Sequence, residues 1–291
     1  MLAATTLDQK LLASRRRAAR TFRAAGQMEK ARTTAKSIVT DFGDTPQDAL
    51  FLAACHSDLG DYAGAAAALH GVLEVAPSHL PARLALARAL ANQVDFPAAI
   101  VAAEAALKID PLSMKAALLL GWLYRKTGNI EGERRAYKAA AAADPRSIRA
   151  LVRQAAACRR LGRTQEALAQ IESALELDPQ HIAALCLRAF VLADAEADAT
   201  VLEPAFSAAI AAAPESLLLR QALASARTER GDLSGAVEAL AGADDVTTDP
   251  AGQARLRAKL SNTFLQMGEE TLAREWAGRA ADTAAVFNHG V

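Results

Sequence analysis

The sequence predicts an all-α fold, a solenoid of about eight helix–turn–helix units, on three observations. Four prolines recur at intervals of 34 residues: Pro77, Pro111, Pro145 and Pro179. Four glycines follow the same 34-residue grid, with Val94 at the one site where a glycine is missing: Gly26, Gly60, Gly128 and Gly162. Small residues also recur at fixed places between them. A fixed period of this size is typical of stacked helical units rather than of one globular core.

The grid divides the chain into an N-terminal segment 1–11, eight units and a tail 288–291. Five regular units come first: 12–45, 46–79, 80–113, 114–147 and 148–181. Three looser units follow: 182–216, 217–253 and 254–287. Each unit predicts a helix, a turn at the glycine, a second helix and a stop at the proline. Glycine tolerates the positive φ of a tight turn, and proline discourages a helix from running on into the next unit.

The small residues predict close helix packing, because they let helix axes approach each other. The eighth positions of the units are Ala19, Ala53, Ala87, Gly121, Ala155, Ala189, Ala224 and Ser261. The twentieth positions are Ala31, Ala65, Ala99, Glu133, Ala167, Leu202, Ala236 and Ala273. Glu133 departs from the pattern, as do Gln154 and Arg188 at the apolar seventh position and Arg227 at the apolar eleventh position.

These motifs resemble the tetratricopeptide repeat family over residues 12–287. Unit 114–147 carries Leu120-Gly121, Tyr124, Tyr137 and Pro145, and unit 46–79 carries Leu52-Ala53, Ala65-x3-Leu69 and Pro77. The resemblance implies a right-handed superhelix whose first helices line a concave face. It also implies a non-catalytic scaffold that binds other proteins.

In this family, positions 2, 5, 6, 9, 12 and 13 of the first helices point into the groove. Through the first five units these positions hold many bases and a single acid, Asp58. We therefore expect a basic groove that attracts an acidic protein or peptide. The candidate binding residues are Arg16, Arg20, Arg23, Arg88, Lys115, Trp122, Arg125, Lys126, Arg149, Arg153, Arg159 and Arg160. A solvated helix face, with Trp122 packed against a neighbouring helix, is the alternative.

Two irregular stretches and the C-terminal end leave further alternatives open. Residues 194–198 replace a turn glycine, and residues 244–250 replace a closing proline. Each is either drift in a surface loop or a hinge or partner contact. No polar capping helix is expected after Trp276, so the C-terminal end is a candidate for self-association.

Composition limits the function classes. The 33 basic and 33 acidic residues balance, which argues against a purely electrostatic nucleic-acid binder. An odd count of three cysteines suits a reduced compartment. Cys55 and Cys158 are expected in the core, as is His56. Without an apolar stretch long enough for a signal sequence or a membrane span, the chain is expected to be cytoplasmic.

Nothing in the sequence predicts catalysis, a cofactor or a metal site, because the five histidines are scattered without ligand spacing. The leading prediction is a scaffold or adaptor that mediates protein–protein interaction. One alternative is a helper that acts in trans on a bacterial polysaccharide-modifying transferase. The other is a self-assembling platform.

Overall fold

The structure, a computed structural model, describes residues 6–42, 45–244, 247 and 249–289. Within these residues the chain forms sixteen α-helices and no strand. It divides into two compact units, Met1–Pro145 and Arg146–Val291. The all-α prediction of about eight helical pairs is confirmed.

The first compact unit contains α1 to α8. Their bounds are Thr6–Ala24, Met28–Phe42, Pro46–Asp58, Tyr62–Val75, Leu80–Asn92, Phe96–Ile109, Met114–Lys126 and Ile130–Ala143. Each odd-numbered helix packs against the even-numbered helix that follows it, and α3, α5 and α7 also contact one another in sequence. The first helices of successive units therefore form a continuous layer. Helix α1 begins six residues before the start predicted for the first unit.

The second compact unit contains α9 to α16 and repeats the arrangement. Their bounds are Ile148–Arg160, Thr164–Leu177, Ile182–Asp194, Ala199–Ala212, Leu217–Glu229, Leu233–Asp244, Pro250–Gln266 and Glu270–His289. Helices α9, α11 and α13 contact one another in sequence. Helix α15 begins at Pro250, four residues before the start predicted for the last unit.

The turn inside each pair has the left-handed conformation that the glycines predicted. Glycine has a positive φ of 67° to 81° at Gly26, Gly60, Gly128, Gly162, Gly231 and Gly268. Val94 and Glu196 stand on the same grid and adopt φ of 65° and 51°. Turn geometry therefore persists where the glycine is lost, and the two side chains carry a conformation that L-residues rarely adopt.

A polar cap follows the turn in several units. Asp61, Asp95, Asn129 and Asp232 each precede a second helix and accept a hydrogen bond from the backbone N–H three residues on, at 2.8–3.1 Å. Such caps satisfy backbone donors that a helix start leaves without partners. The cap and the left-handed turn together reverse the chain at a fixed residue.

The core confirms the prediction for the small residues. All eight residues at the eighth position and all eight at the twentieth position are buried. At Gly121 an added Cβ would lie 2.5 Å from the ring of buried Tyr137. Cys55 and Cys158 are fully buried, as expected. His56 is only partly buried, and its Nδ1 lies 2.7 Å from an Asp61 carboxylate oxygen.

The residues that depart from the repeat pattern remain inside the packing. Glu133 and Gln154 are buried, and Arg188 lies 3.6 Å from Glu172. Arg227 donates to both carboxylate oxygens of Glu203, at 2.9 and 2.6 Å, and to the carbonyl oxygen of Gly235 at 2.8 Å. An ion pair thus holds α12, α13 and α14 together where an apolar side chain was expected.

The two irregular stretches differ in outcome. Asp194 ends α11 and Glu196 forms the turn, so the first stretch keeps the regular geometry. In the second, Asp249 caps α15, and Thr247 is buried and donates to the carbonyl oxygen of Ala243. Residues 245, 246 and 248 lie outside the described part of the chain. So do residues 1–5 of the predicted N-terminal segment and residues 290 and 291 of the predicted tail.

Candidate functional site

A groove of about 450 Å³ opens on the first-helix layer of the first compact unit. We call it the N-terminal groove. Its walls are α3 and α5, with side chains from α1 and α7 at the rim. The floor is apolar and includes Leu50 and Ala54 of α3 and Leu84 of α5. Spacings of three and four residues bring these side chains to one face of each helix.

Three of the sequence-predicted bases line this groove: Arg23, Arg88 and Lys115. Arg88 and Lys115 are exposed, and neither forms an ion pair with any described residue. Arg23 differs, because its Nε lies 2.6 Å from Oδ2 of Asp58, which also lines the groove. The uncompensated positive charge of the groove therefore belongs to α5 and α7.

Two further candidate bases are neutralised in the same way. Arg16 of α1 donates to both carboxylate oxygens of Asp48 in α3, at 2.8 and 2.5 Å. Arg159 of α9 donates to Asp194 of α11, at 2.6 and 3.2 Å. Each pair joins neighbouring first helices, so these arginines hold the layer together. The repeat pattern predicted open groove charge here, because a position within one unit does not show a partner in the next.

The ion pair with Arg16 also affects the pKa of Asp48. Burial raises the pKa of this carboxyl, but hydrogen bonds from Arg16 and Thr45 outweigh burial and hold the pKa below its ordinary value. The same hydrogen bonding raises the pKa of Arg16. Arg20 is exposed beside this pair and lines a small cavity of about 40 Å³ with it.

Trp122 packs against a neighbouring helix and also remains partly exposed. Its ring meets the ring of Phe96 edge to face, with centroids 6.2 Å apart, which is packing against a neighbouring helix. About a third of Trp122 stays exposed, at 36%. The Lys126 ammonium lies 5.6 Å from the indole centroid, close enough for a cation–π contact. Arg125 is exposed next to it.

In the second compact unit, α9 presents Arg149, Arg153 and Arg160, all of which are exposed. Arg149 and Arg153 form no ion pair with a described residue. They lie four residues apart and so share one helix face. These positions remain candidates for partner contact.

A second cavity, of about 300 Å³, lies between α13, α14 and α15, and the sequence analysis missed it. We call it the C-terminal cleft. Its polar residues are Gln221, Ser225, Thr228, Glu229, Lys259, Asn262, Thr263 and Gln266. The repeat pattern does place polar residues on this face, because the inward positions 5, 9 and 12 of unit 217–253 are Gln221, Ser225 and Thr228.

The last described helix, α16, is the second helix of the last predicted unit. Helix α16 continues past Trp276 to His289. Arg279 lies over the Trp276 ring at 4.6 Å and pairs with Glu275 at 2.7 Å. Leu272 is exposed on the same helix. Self-association through this end remains a prediction.

The described residues do not favour metal binding or a reactive thiol. No group of three or more His, Cys, Asp or Glu side chains within them could hold a metal ion. Burial raises the pKa of the Cys55 and Cys186 thiols, which disfavours the reactive thiolate. No helix in this part of the chain is both long and apolar enough to cross a bilayer.

Paired helices, a recurring left-handed turn and a groove on the first-helix layer define an α-helical repeat protein. The profile of the tetratricopeptide repeat family matches three overlapping segments, residues 55–114, 84–148 and 118–182. Residues 55–182 therefore match the tetratricopeptide repeat family, as their motifs indicated. No curated protein sequence gives a significant match.

Solved structures of this family share the fold. The C-terminal part of a repeat protein from Cytophaga hutchinsonii aligns with a TM-score of 0.68 at 16% identity, covering 81% of this chain and 97% of the other. A repeat protein from Parabacteroides merdae aligns with a TM-score of 0.59 at 16% identity, covering 81% and 92%. YrrB, which has an unusual peptide-binding site, aligns with a TM-score of 0.54 at 17% identity, covering 65% and 97%.

Proposed function

We propose that this chain is a non-catalytic scaffold that binds an acidic segment of another protein in the N-terminal groove. One observation carries the proposal. The groove combines an apolar floor with two exposed bases, Arg88 and Lys115, that form no ion pair with any described residue. Tetratricopeptide repeat proteins bind proteins or peptides, and the similarity to YrrB, with its peptide-binding site, supports this class of ligand.

The arrangement of charge favours a particular ligand. Arg23 already pairs with Asp58, so a ligand carboxylate meets net positive charge at α5 and α7 rather than at α1. The half-buried side chains of Leu50 and Leu84 offer apolar contact beneath those bases. An extended peptide places successive side chains on opposite faces. A segment that alternates acidic and apolar residues can therefore satisfy both the rim and the floor.

Arg125, Lys126, Arg149 and Arg153 are exposed as well. We propose them as further partner contacts, with Trp122 as an aromatic anchor. Aromatic and arginine side chains dominate the energetics of many interfaces. The cytoplasmic location stays a prediction of the sequence.

The test uses a fluorescein-labelled hexapeptide of alternating Asp and Leu, and a matched peptide in which Lys replaces Asp. Fluorescence anisotropy measures the affinity of each peptide at low and at physiological salt. We expect the acidic peptide to bind and to weaken with salt, because exposed charges are screened over about 8–10 Å. Arg88→Glu with Lys115→Glu is expected to weaken binding about tenfold, since two exposed pairs become repulsive.

A matched control changes the same charge on the second helices. Lys108 of α6 and Lys138 of α8 are exposed, so Lys108→Glu with Lys138→Glu alters net charge equally but leaves the groove intact. Circular dichroism checks that both double variants fold. Equal binding of acidic and basic peptides to the wild type, or an equal loss in the control variant, would contradict the proposal.

A further inference from the structure

Helix α1 contacts its neighbours largely through charged side chains. Within residues 8–24, the part of α1 whose side chains the structure describes, Ala19 alone is buried. The first helices α3 and α5 each bury five residues, most of them apolar. Burial of apolar surface is the dominant favourable force in helix packing. Helix α1 therefore has much less of this stabilisation than the first helices that follow it.

Three arginines of α1 each form an ion pair with an aspartate of α2 or α3. The pairs are Arg15–Asp41, Arg16–Asp48 and Arg23–Asp58. Two of these guanidinium groups also lie over aromatic rings, Arg15 at 5.3 Å from the Phe42 centroid and Arg23 at 5.8 Å from the Phe51 centroid. The three arginine side chains are 33–40% exposed, so dissolved ions reach the pairs and screen them.

An apolar cluster lies against this helix. Phe22 of α1 packs against a group of buried residues from α2 and α3 that includes Ala31, Leu52 and Cys55. Cys55 is fully buried. Burial raises the pKa of its thiol, and the nearby charge of Arg23 opposes that rise. Cys55 thus lies close to α1, and detachment of this helix uncovers it.

We propose that α1 is an ion-pair latch, a helix that is closed over α2 and α3 at low ionic strength and opens as ionic strength rises. Opening uncovers the apolar cluster around Cys55. The end unit of a stack of helical repeats can open by itself, because each unit contacts only its neighbours. An increase in salt from about 0.1 M to about 1 M shortens the screening length from about 10 Å to about 3 Å. Apolar packing does not depend on this length, so the other units stay closed.

The test is thiol labelling of the full chain, without any ligand, at these two salt concentrations. It is therefore independent of the function proposed for the N-terminal groove. N-Ethylmaleimide is uncharged, so screening does not alter its approach, and peptide mass spectrometry gives a labelling rate for each cysteine. Cys158 is also fully buried but belongs to the other compact unit, so it reports opening elsewhere. Cys186 is half-buried and reports the reactivity of the reagent.

We expect the labelling rate of Cys55 to rise about tenfold at the higher salt concentration, while that of Cys158 stays unchanged. A tenfold change corresponds to about 1.4 kcal/mol, which lies within what three exposed ion pairs contribute together. Hydrogen exchange gives a second measurement. Residues 6–24 are expected to exchange faster at high salt, and residues 148–160 of α9 are expected to exchange at the same rate.

Arg16→Gln with Arg23→Gln removes both pairs between α1 and α3. This variant is expected to label Cys55 about tenfold faster than the wild type at about 0.1 M salt, with a weaker response to added salt. Loss of the Arg23 charge alone would slow the labelling, because that charge lowers the pKa of the Cys55 thiol and the thiolate is the reactive form. Faster labelling therefore reports opening of the latch.

A matched control removes the same charge from the same helix. Lys10 and Arg17 are exposed and form no ion pair with any described residue, so Lys10→Gln with Arg17→Gln is expected to behave as the wild type does. Circular dichroism checks that both double variants fold. The proposal is overturned if salt does not accelerate the labelling of Cys55, or if Cys158 accelerates equally. It is overturned as well if both variants label Cys55 at the same rate, or if hydrogen exchange over α1 does not increase with salt.

Discussion

Val94 stands at a turn position that the other regular units fill with glycine. It adopts φ of 65° at the turn between α5 and α6, where the equivalent residue of four other regular units is glycine. A β-branched side chain in this region is a genuine outlier. Val94 is also 69% exposed, so it makes few contacts that would offset the conformation. Val94→Gly is therefore expected to stabilise the protein.

The magnitude follows from three terms. The left-handed conformation costs an L-residue about 1–2 kcal/mol, with valine at the upper end, and the substitution removes that cost. Glycine increases the entropy of the unfolded chain, which opposes the gain by about 0.5–1 kcal/mol. Loss of the small buried fraction of the side chain costs about 0.5 kcal/mol more. The expected result is a net gain of up to about 1 kcal/mol in the free energy of unfolding.

The assay is urea denaturation followed by circular dichroism, with two matched variants. In Gly128→Val nothing lies within 4 Å of the added Cβ, so backbone strain outweighs the entropy that the unfolded chain loses, and we expect a net loss of about 1 kcal/mol. Val101 is 66% exposed but lies within helix α6. Val101→Gly should destabilise, because glycine weakens a helix interior. The reasoning is refuted if Val94→Gly destabilises the protein as much as Val101→Gly does.

Three further changes test the packing and the charge pairs. Asp48→Asn should lower the free energy of unfolding by about 1–2 kcal/mol at pH 7. Its lowered pKa means that this stabilisation is present above about pH 4 and fades as pH falls, so the difference between wild type and variant should shrink in acid denaturation below about pH 4. Burial and the hydrogen bond to Glu104 raise the pKa of Tyr124 to about 12. Stability should therefore decline as pH rises from about 10 to 12, and Tyr124→Phe, followed by urea denaturation across that range, should make the decline shallower. Gly121→Ala should destabilise by about 1–2 kcal/mol in the same assay, because its Cβ would lie 2.5 Å from the Tyr137 ring; a gain in stability would show that the ring can move.

The sequence predicted most of the fold because each unit repeats the same turn, cap and packing residues. Turn glycines, caps and small packing residues stand at fixed intervals, and neighbouring units pack through the same positions. The structure of the unit is kept even where the residue type departs from the repeat. Glu196 still adopts the turn conformation, and Glu133 is still buried. Helix ends were less predictable. Helices α1 and α15 start earlier than the grid indicated, at Thr6 and Pro250.

The candidate site was predictable only in part. Arg88 and Lys115 line the groove as the inward positions indicated, and Arg23 lines it too but already holds Asp58. The C-terminal cleft has few bases and acids, so charge at the inward positions did not indicate it. Local periodicity shows which face a residue occupies, but it does not show which partner that residue meets.

The sequence by itself determined the repeat period, the paired helices, the turn sites and the buried small residues, because these depend on contacts within a unit or with an identical neighbour. Only the tertiary structure decided which arginines are free to bind. Arg23 and Arg159 each meet an aspartate 35 residues further along the chain, across two neighbouring first helices. Such a pair depends on how adjacent helices are aligned, and that alignment results from the packing of the whole layer.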